Sequence, residues 1–203
     1  MSYQAILFDF DGVLMDSEPV HFACWNEALR PLGFHIDWET YAATTIGISE
    51  DATMELFARI SDPPLDLDEV RARYPVKKEL FRAHMAAKLP FAPGVREFIA
   101  SLDGRYKLAV VTSSARVEIE PLLERGGIRQ HFGAVVCAED VAHHKPAPDP
   151  YLLAARLLGA ESALVAEDSE PGMESARAAG FDAVRIPAAA QTVELVRAAL
   201  RLP

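Results

Sequence analysis

Apolar residues along this chain fall into two patterns. Five short runs, YQAILFDF, KLAVVTSS, GAVVCAED, SALVAEDS and DAVRIP, read as strands, and four of them lack clean polar alternation until their last residues. Strands buried on both faces look like this, as in a parallel sheet covered by helices on either side. Between the runs lie amphipathic stretches at helical spacing: VEIEPLLER before Gly126-Gly127, PYLLAARLL before Gly159, and MESARAA before Gly180. Each glycine stands where a helix end favours a residue tolerant of positive φ. Strand, helix and strand in repetition predict right-handed crossovers and an α/β fold, a parallel sheet flanked by helices.

Residues 16–88 break the rhythm. They hold no convincing β run, whereas VHFACWNEALRPLG, SEDATMELFARI and DEVRARYPVKKELFRAHMAA all have helical spacing. The expectation is an α-helical domain, 16–88, inserted into a core formed by 1–15 and 89–203. Pro90 and Pro93 mark the loop where the chain returns to the core.

Composition narrows the function. A formal charge of −10 over 203 residues argues against a nucleic-acid binder, which needs Lys and Arg to neutralise phosphates. The two cysteines, Cys24 and Cys137, lie far apart in apolar surroundings, as buried reduced thiols do. MSYQ lacks the basic and apolar segments of a signal peptide, and no apolar run approaches the roughly 20 residues of a membrane span. The expected compartment is the cytoplasm, with no membrane partner and a monomer as the default.

The chemistry gathers at the predicted strand ends. Asp9 and Asp11 are two apart, so on a continuing strand both carboxylates would leave one face and repel, and such a pair asks for a cation. In an open parallel sheet, ligands bind beyond the carboxyl ends of the strands. That rule puts Asp9, Asp11, Thr112, Ser113, Ser114, Glu139, Asp140, Lys145, Glu167, Asp168 and Ser169 on one rim. Acidic groups, small hydroxyls and a lysine suit a divalent cation and a phosphoryl group. Mg²⁺ binds one or two carboxylates plus phosphate oxygens, and Asp9 and Asp168 can supply them. Thr112 and backbone N–H groups can hold phosphate oxygens, with Lys145 as a fixed charge ahead of Pro146, Pro148 and Pro150, which would stiffen its loop. One carboxylate can act as nucleophile, forming an acyl phosphate, and the second is then free for proton transfer.

Taken singly, each residue has an ordinary explanation: Asp9 as a turn residue, Glu167 and Asp168 near a helix start, Lys145 as a solvated lysine. Their joint placement at four strand ends favours chemistry. His143-His144 has no second ligand pair for zinc. His21, one helical turn after Ser17, is placed to face the cleft, whereas His35, His84 and His131 read as surface or partly packed residues.

These segments resemble the haloacid dehalogenase-like hydrolases, in the helical-cap branch with β-phosphoglucomutase and phosphoglycolate-phosphatase-like enzymes. The resemblance rests on FDFDGVLMDSEPVH, VVTSS, the lysine of HHKPAPDPY, and VAEDSEPGMESARAAG, and covers nearly the whole chain. It implies a Rossmann-like core in which Asp9 is the nucleophile and Asp11 the general acid and base. Mg²⁺ would be held by Asp9, the Asp11 backbone carbonyl and Asp168, with Glu167 beside it, while Thr112, Ser113 and Lys145 grip the phosphate. The insert would be a cap, with Lys77 matching a cap lysine that reaches toward the cleft. The mutases carry a cap arginine for the substrate's distal phosphate; Glu50 of GISED takes that position here, which favours a neutral or amine-bearing distal end. The expected activity is a Mg²⁺-dependent phosphatase for a small phosphorylated metabolite such as a sugar phosphate. A phosphosugar mutase and a non-catalytic phosphate-ligand-binding protein are the alternatives.

Overall fold

The computed structural model describes residues 3–202. Five strands, β1 (Ala5–Phe8), β2 (Lys107–Val111), β3 (Ala134–Val136), β4 (Ala163–Glu167) and β5 (Asp182–Arg185), form one sheet in the order β3-β2-β1-β4-β5. Every pairing is parallel. Alternate residues of β1 enter opposite layers: Ile6 and Phe8 join one apolar cluster, Ala5 and Leu7 the other. This two-residue period on a strand buried on both sides explains its unbroken apolar run. Helices α5 (Val95–Leu102), α6 (Arg116–Arg125) and α9 (Thr192–Leu200) cover the first face through Phe98, Ile119 and Val196. Helices α7 (Asp149–Leu158) and α8 (Glu170–Ala178) cover the second through Tyr151, Ala154 and Ala176.

The stretch between β1 and α5 is helical: α1 (Glu18–Leu29), α2 (Trp38–Thr44), α3 (Glu50–Ile60) and α4 (Leu67–Ala87). It has an apolar cluster of its own, including Trp25, Leu29, Met54, Phe57 and Val70. The end of α4 is shared, since Phe81 and Met85 bury into the sheet-side cluster. Two backbone hydrogen bonds tie the outgoing and returning chains, Asp16 N–H to the Pro90 carbonyl at 2.8 Å and Ala92 N–H to the Leu14 carbonyl at 3.0 Å.

Helices α2 and α9 were not expected from spacing. The first is short, with Tyr41 as its buried residue, and is set by its Asp37 N-cap, which accepts from Thr40 N–H. The proline reading also needs correction: Pro148 and Pro150 open α7 instead of stiffening a loop. Proline suits a helix's first turn because the missing N–H would have no partner there. Among the described residues, no helix is long and apolar enough to cross a membrane. Cys24 and Cys137 are buried free thiols.

Candidate active site

Sheet order brings the polar strand ends together. Neighbours of β1 are added on both sides, so the crevice beyond its end is the switch point where open α/β sheets bind ligands. Asp9 follows β1, and its N–H extends the ladder to the Ala166 carbonyl at 3.0 Å. The chain then turns sharply through Gly12, at φ +71°. Thr112-Ser113-Ser114 follows β2, Asp168 follows β4, and Lys145 lies between β3 and α7.

Lys145 is buried among acids. Its Nζ lies 2.6 Å from Glu167 Oε1 and 3.1 Å from Asp9 Oδ1, and it also donates to the Val111 carbonyl at 3.2 Å. Glu167 is completely buried and fully engaged: Oε1 accepts from Lys145 and from Tyr151 O–H, while Oε2 accepts from Ser169 N–H and Oγ. Gly172, in the first turn of α8, leaves room for it, since a β-carbon there would lie 1.7 Å from Glu167 Oε1. Burial pushes Glu167 up, yet the Lys145 charge and these hydrogen bonds hold its carboxyl below the usual range.

Asp9, Glu167 and Asp168 each offer an oxygen, all within 4.8 Å of one another. Burial, then the charges of Glu167 and Asp11, push Asp9 well above the ordinary carboxylate range against the pull of Lys145. Burial, then Asp9, Glu167 and Glu18, push Asp168 up to about 9. Hard oxygen donors that repel one another are the donor set a small divalent cation prefers. Since Glu167 spends its oxygens on the lysine and on α8, Asp9 and Asp168 are the carboxylates with capacity left.

The Asp11 side chain belongs to a different set. Its Oδ1 accepts from Ser17 Oγ, its Oδ2 from Ser114 Oγ at 2.8 Å, and His21 Nε2 lies 3.4 Å from Oδ1. Burial pushes Asp11 up, but His21 and the two serine hydroxyls overcome this and bring it down to about 2. The two carboxylates therefore face different partners, and the Asp11 carboxylate stands outside the oxygen cluster of Asp9, Glu167 and Asp168. The strand ends at Phe8, so the period-two argument stops applying before Asp11. His21 is fixed by stacking on Phe81, with centroids 4.2 Å apart.

Asp9, Asp11, Thr112, Ser113 and Asp168 line one cavity, whose other walls include Glu18, His21, Trp25, Tyr41 and Glu50. Thr112 Oγ1 accepts from Ser114 N–H at 3.0 Å, which shapes the turn. Lys77 does not line the cavity; it is fully buried and forms an ion pair with Glu50. The sequence did not point to Ser17, Tyr151, Glu18 or Gly172, and it placed Ser114 on the rim without a role. Ser17 and Ser114 lie inside segments that stood out, but their role depends on where Asp11 turns. Glu18 accepts from Tyr41 O–H at 3.2 Å, and burial first of all pushes it up to about 7.

An acidic crevice at the carboxyl ends of a parallel sheet, faced by an inserted helical layer, defines the class: the chain belongs to the haloacid dehalogenase-like hydrolases, whose family profile matches residues 6–186. It is an enzyme of that family. It is 36% identical over 187 residues to the fructose-1-phosphate phosphatase YqaB of Escherichia coli K12, covering 91% of this chain and 96% of that one. To the phosphorylated carbohydrates phosphatase of Thermotoga maritima it is 30% identical, covering 89% and 83%. Among solved structures it resembles a CbbY variant from Rhodobacter sphaeroides in complex with xylulose-1,5-bisphosphate, with a TM-score of 0.77, 30% identity and coverage of 89% and 84%.

Proposed function

We propose that this chain is a Mg²⁺-dependent phosphatase that hydrolyses a small sugar phosphate through an aspartyl-phosphate on Asp9. The observation that carries this reading is the Asp9–Glu167–Asp168 oxygen cluster set against Lys145. Asp9 and Asp168, with the Asp11 backbone carbonyl, would hold Mg²⁺, which when bound neutralises phosphate charge and lets a dianion approach a carboxylate. Lys145 steadies the Asp9 carboxylate, and Thr112 and Ser113 bind the non-bridging phosphate oxygens. Asp9 attacks phosphorus, the ester P–O bond breaks, and the departing alkoxide takes a proton from Asp11. Water then attacks phosphorus of the acyl phosphate, Asp11 takes back a proton, and Asp9 is released with inorganic phosphate. Ionised in the free site, Asp11 suits the second half; the negative charge of an arriving phosphate raises its proton affinity for the first.

Residues 16–88 act as the cap over a core of 1–15 and 89–203, hinged at the paired segments 14–16 and 90–92. The E. coli relative is named for a monophosphate, whereas the CbbY structure holds a bisphosphate. No lysine or arginine lines the cavity among the described residues, which favours a monophosphate and disfavours a mutase working on bisphosphates.

The test is phosphate release from fructose 1-phosphate. Activity is expected with Mg²⁺, lost in EDTA and restored by added Mg²⁺, and Asp9→Asn should abolish it without lowering Tm. Turnover retained by a clean Asp9→Asn preparation would sink the nucleophile assignment. Conversion of a hexose 1-phosphate to the 6-phosphate, with a bisphosphate activator and no net phosphate release, would show a mutase instead.

A further inference from the structure

The cavity wall opposite the strand ends is built by α1, α2 with its C-cap Thr45, and α3, through Glu18, Trp25, Tyr41, Thr45, Glu50 and Thr53. This end receives whatever the phosphate is attached to. Glu50 opens α3, next to the Ser49 N-cap. Its Oε1 takes the Lys77 ammonium, whereas its Oε2 is buried without a hydrogen-bond partner. A buried acceptor left unbonded forfeits its solvation, so a ligand donor arriving there gains a full hydrogen bond.

Lys77 decides what kind of donor fits. It is boxed by aromatic rings, with Nζ 5.3 Å from the Trp25 centroid, 5.9 Å from Tyr74 and 5.4 Å from Phe81. Held there, it fixes Glu50 through one oxygen and offsets its charge, so the remaining oxygen complements a neutral hydroxyl and needs no second cation. A distal phosphate would meet Glu50 and Glu18 with no lysine or arginine among the described residues on the cavity wall to receive it. The Glu50 matching position that disfavoured a phosphate in the sequence thus acquires a positive role.

We propose that Glu50, held by Lys77, accepts a hydrogen bond from a hydroxyl of the leaving alcohol and so selects polyhydroxy monophosphates over bisphosphates. This rests on the phosphatase reading above. Trp25 supplies the adjoining apolar wall for the carbon skeleton.

The experiment compares kcat/KM for fructose 1-phosphate, fructose 1,6-bisphosphate and p-nitrophenyl phosphate, all with Mg²⁺. The first should exceed the second more than tenfold in the native protein. Glu50→Gln should cut that ratio at least tenfold, because it removes the carboxylate charge that repels the second phosphate. Glu50→Asp keeps the charge but withdraws the oxygen, so KM for fructose 1-phosphate should rise severalfold while the bisphosphate stays rejected. A ratio within twofold of native in Glu50→Gln, or equal losses on all three esters, overturns the proposal. Should Glu50→Gln fail to fold, an unchanged KM in Glu50→Asp overturns it. No phosphate release by the native protein from any of the three overturns the phosphatase reading itself.

Discussion

Gly12 makes room for Asp168: a β-carbon on Gly12 would lie 1.9 Å from Asp168 Oδ2. The turn after Asp9 therefore shapes the far side of the oxygen cluster as well as releasing the chain toward α1. At φ +71°, Gly12 also holds a backbone conformation that disfavours a side chain by about 1–2 kcal/mol. Gly12→Ala should lose about that much stability in urea unfolding. Its turnover should fall far more, by about a hundredfold, because Asp168 must move. Unchanged turnover would show that catalysis does not need Asp168 where Gly12 lets it sit.

Lys145 is the cation on which two buried acids depend. Removing one partner of a buried ion pair costs about 3–5 kcal/mol, because the other charge is stranded. Lys145→Met should show a loss of this size in urea unfolding at pH 7, together with loss of activity. Lys145→Met/Glu167→Gln should recover much of the stability and none of the activity. If the double variant is no more stable than the single one, Glu167 is not the group Lys145 compensates.

Glu18 predicts a pH dependence. Its folded-state carboxyl titrates at about 7, against an ordinary 4.5, so the folded state holds the proton more tightly than the unfolded one. The resulting stability is fully present below about pH 4.5 and is lost as pH rises through about 7. Glu18→Gln removes this component. In EDTA, the native protein should lose up to about 3 kcal/mol more than the variant between pH 4.5 and 8, as a shift of that size implies. Parallel stability curves would refute the assignment.

The strands and most helices were legible because each is encoded locally. β1 is apolar on both faces since both faces are covered, and α7 closes on Gly159 because a left-handed residue suits glycine there. Helix α2 was not, being a seven-residue element with Tyr41 as its one buried residue; for α9, as long as α8, shortness gives no such reason. The strand-end residues could be brought to one rim by the parallel-sheet rule alone, and the structure places Asp9, Asp11, Thr112, Ser113 and Asp168 on one cavity.

The order of elements and the rim on which the polar residues gather follow from local signals, because strand and helix periods and the carboxyl-end rule act over short stretches of chain. Which residue faces which was decided only by the tertiary structure. Asp9 turns to Lys145, while Asp11, two positions on, turns to Ser17, Ser114 and His21. Lys77 turns inward to Glu50 and away from the cavity. The physical reason is that a charged side chain buried by packing takes the nearest opposite charge or hydrogen-bond partner, and that partner can be distant along the chain: 103 residues separate Asp11 from Ser114.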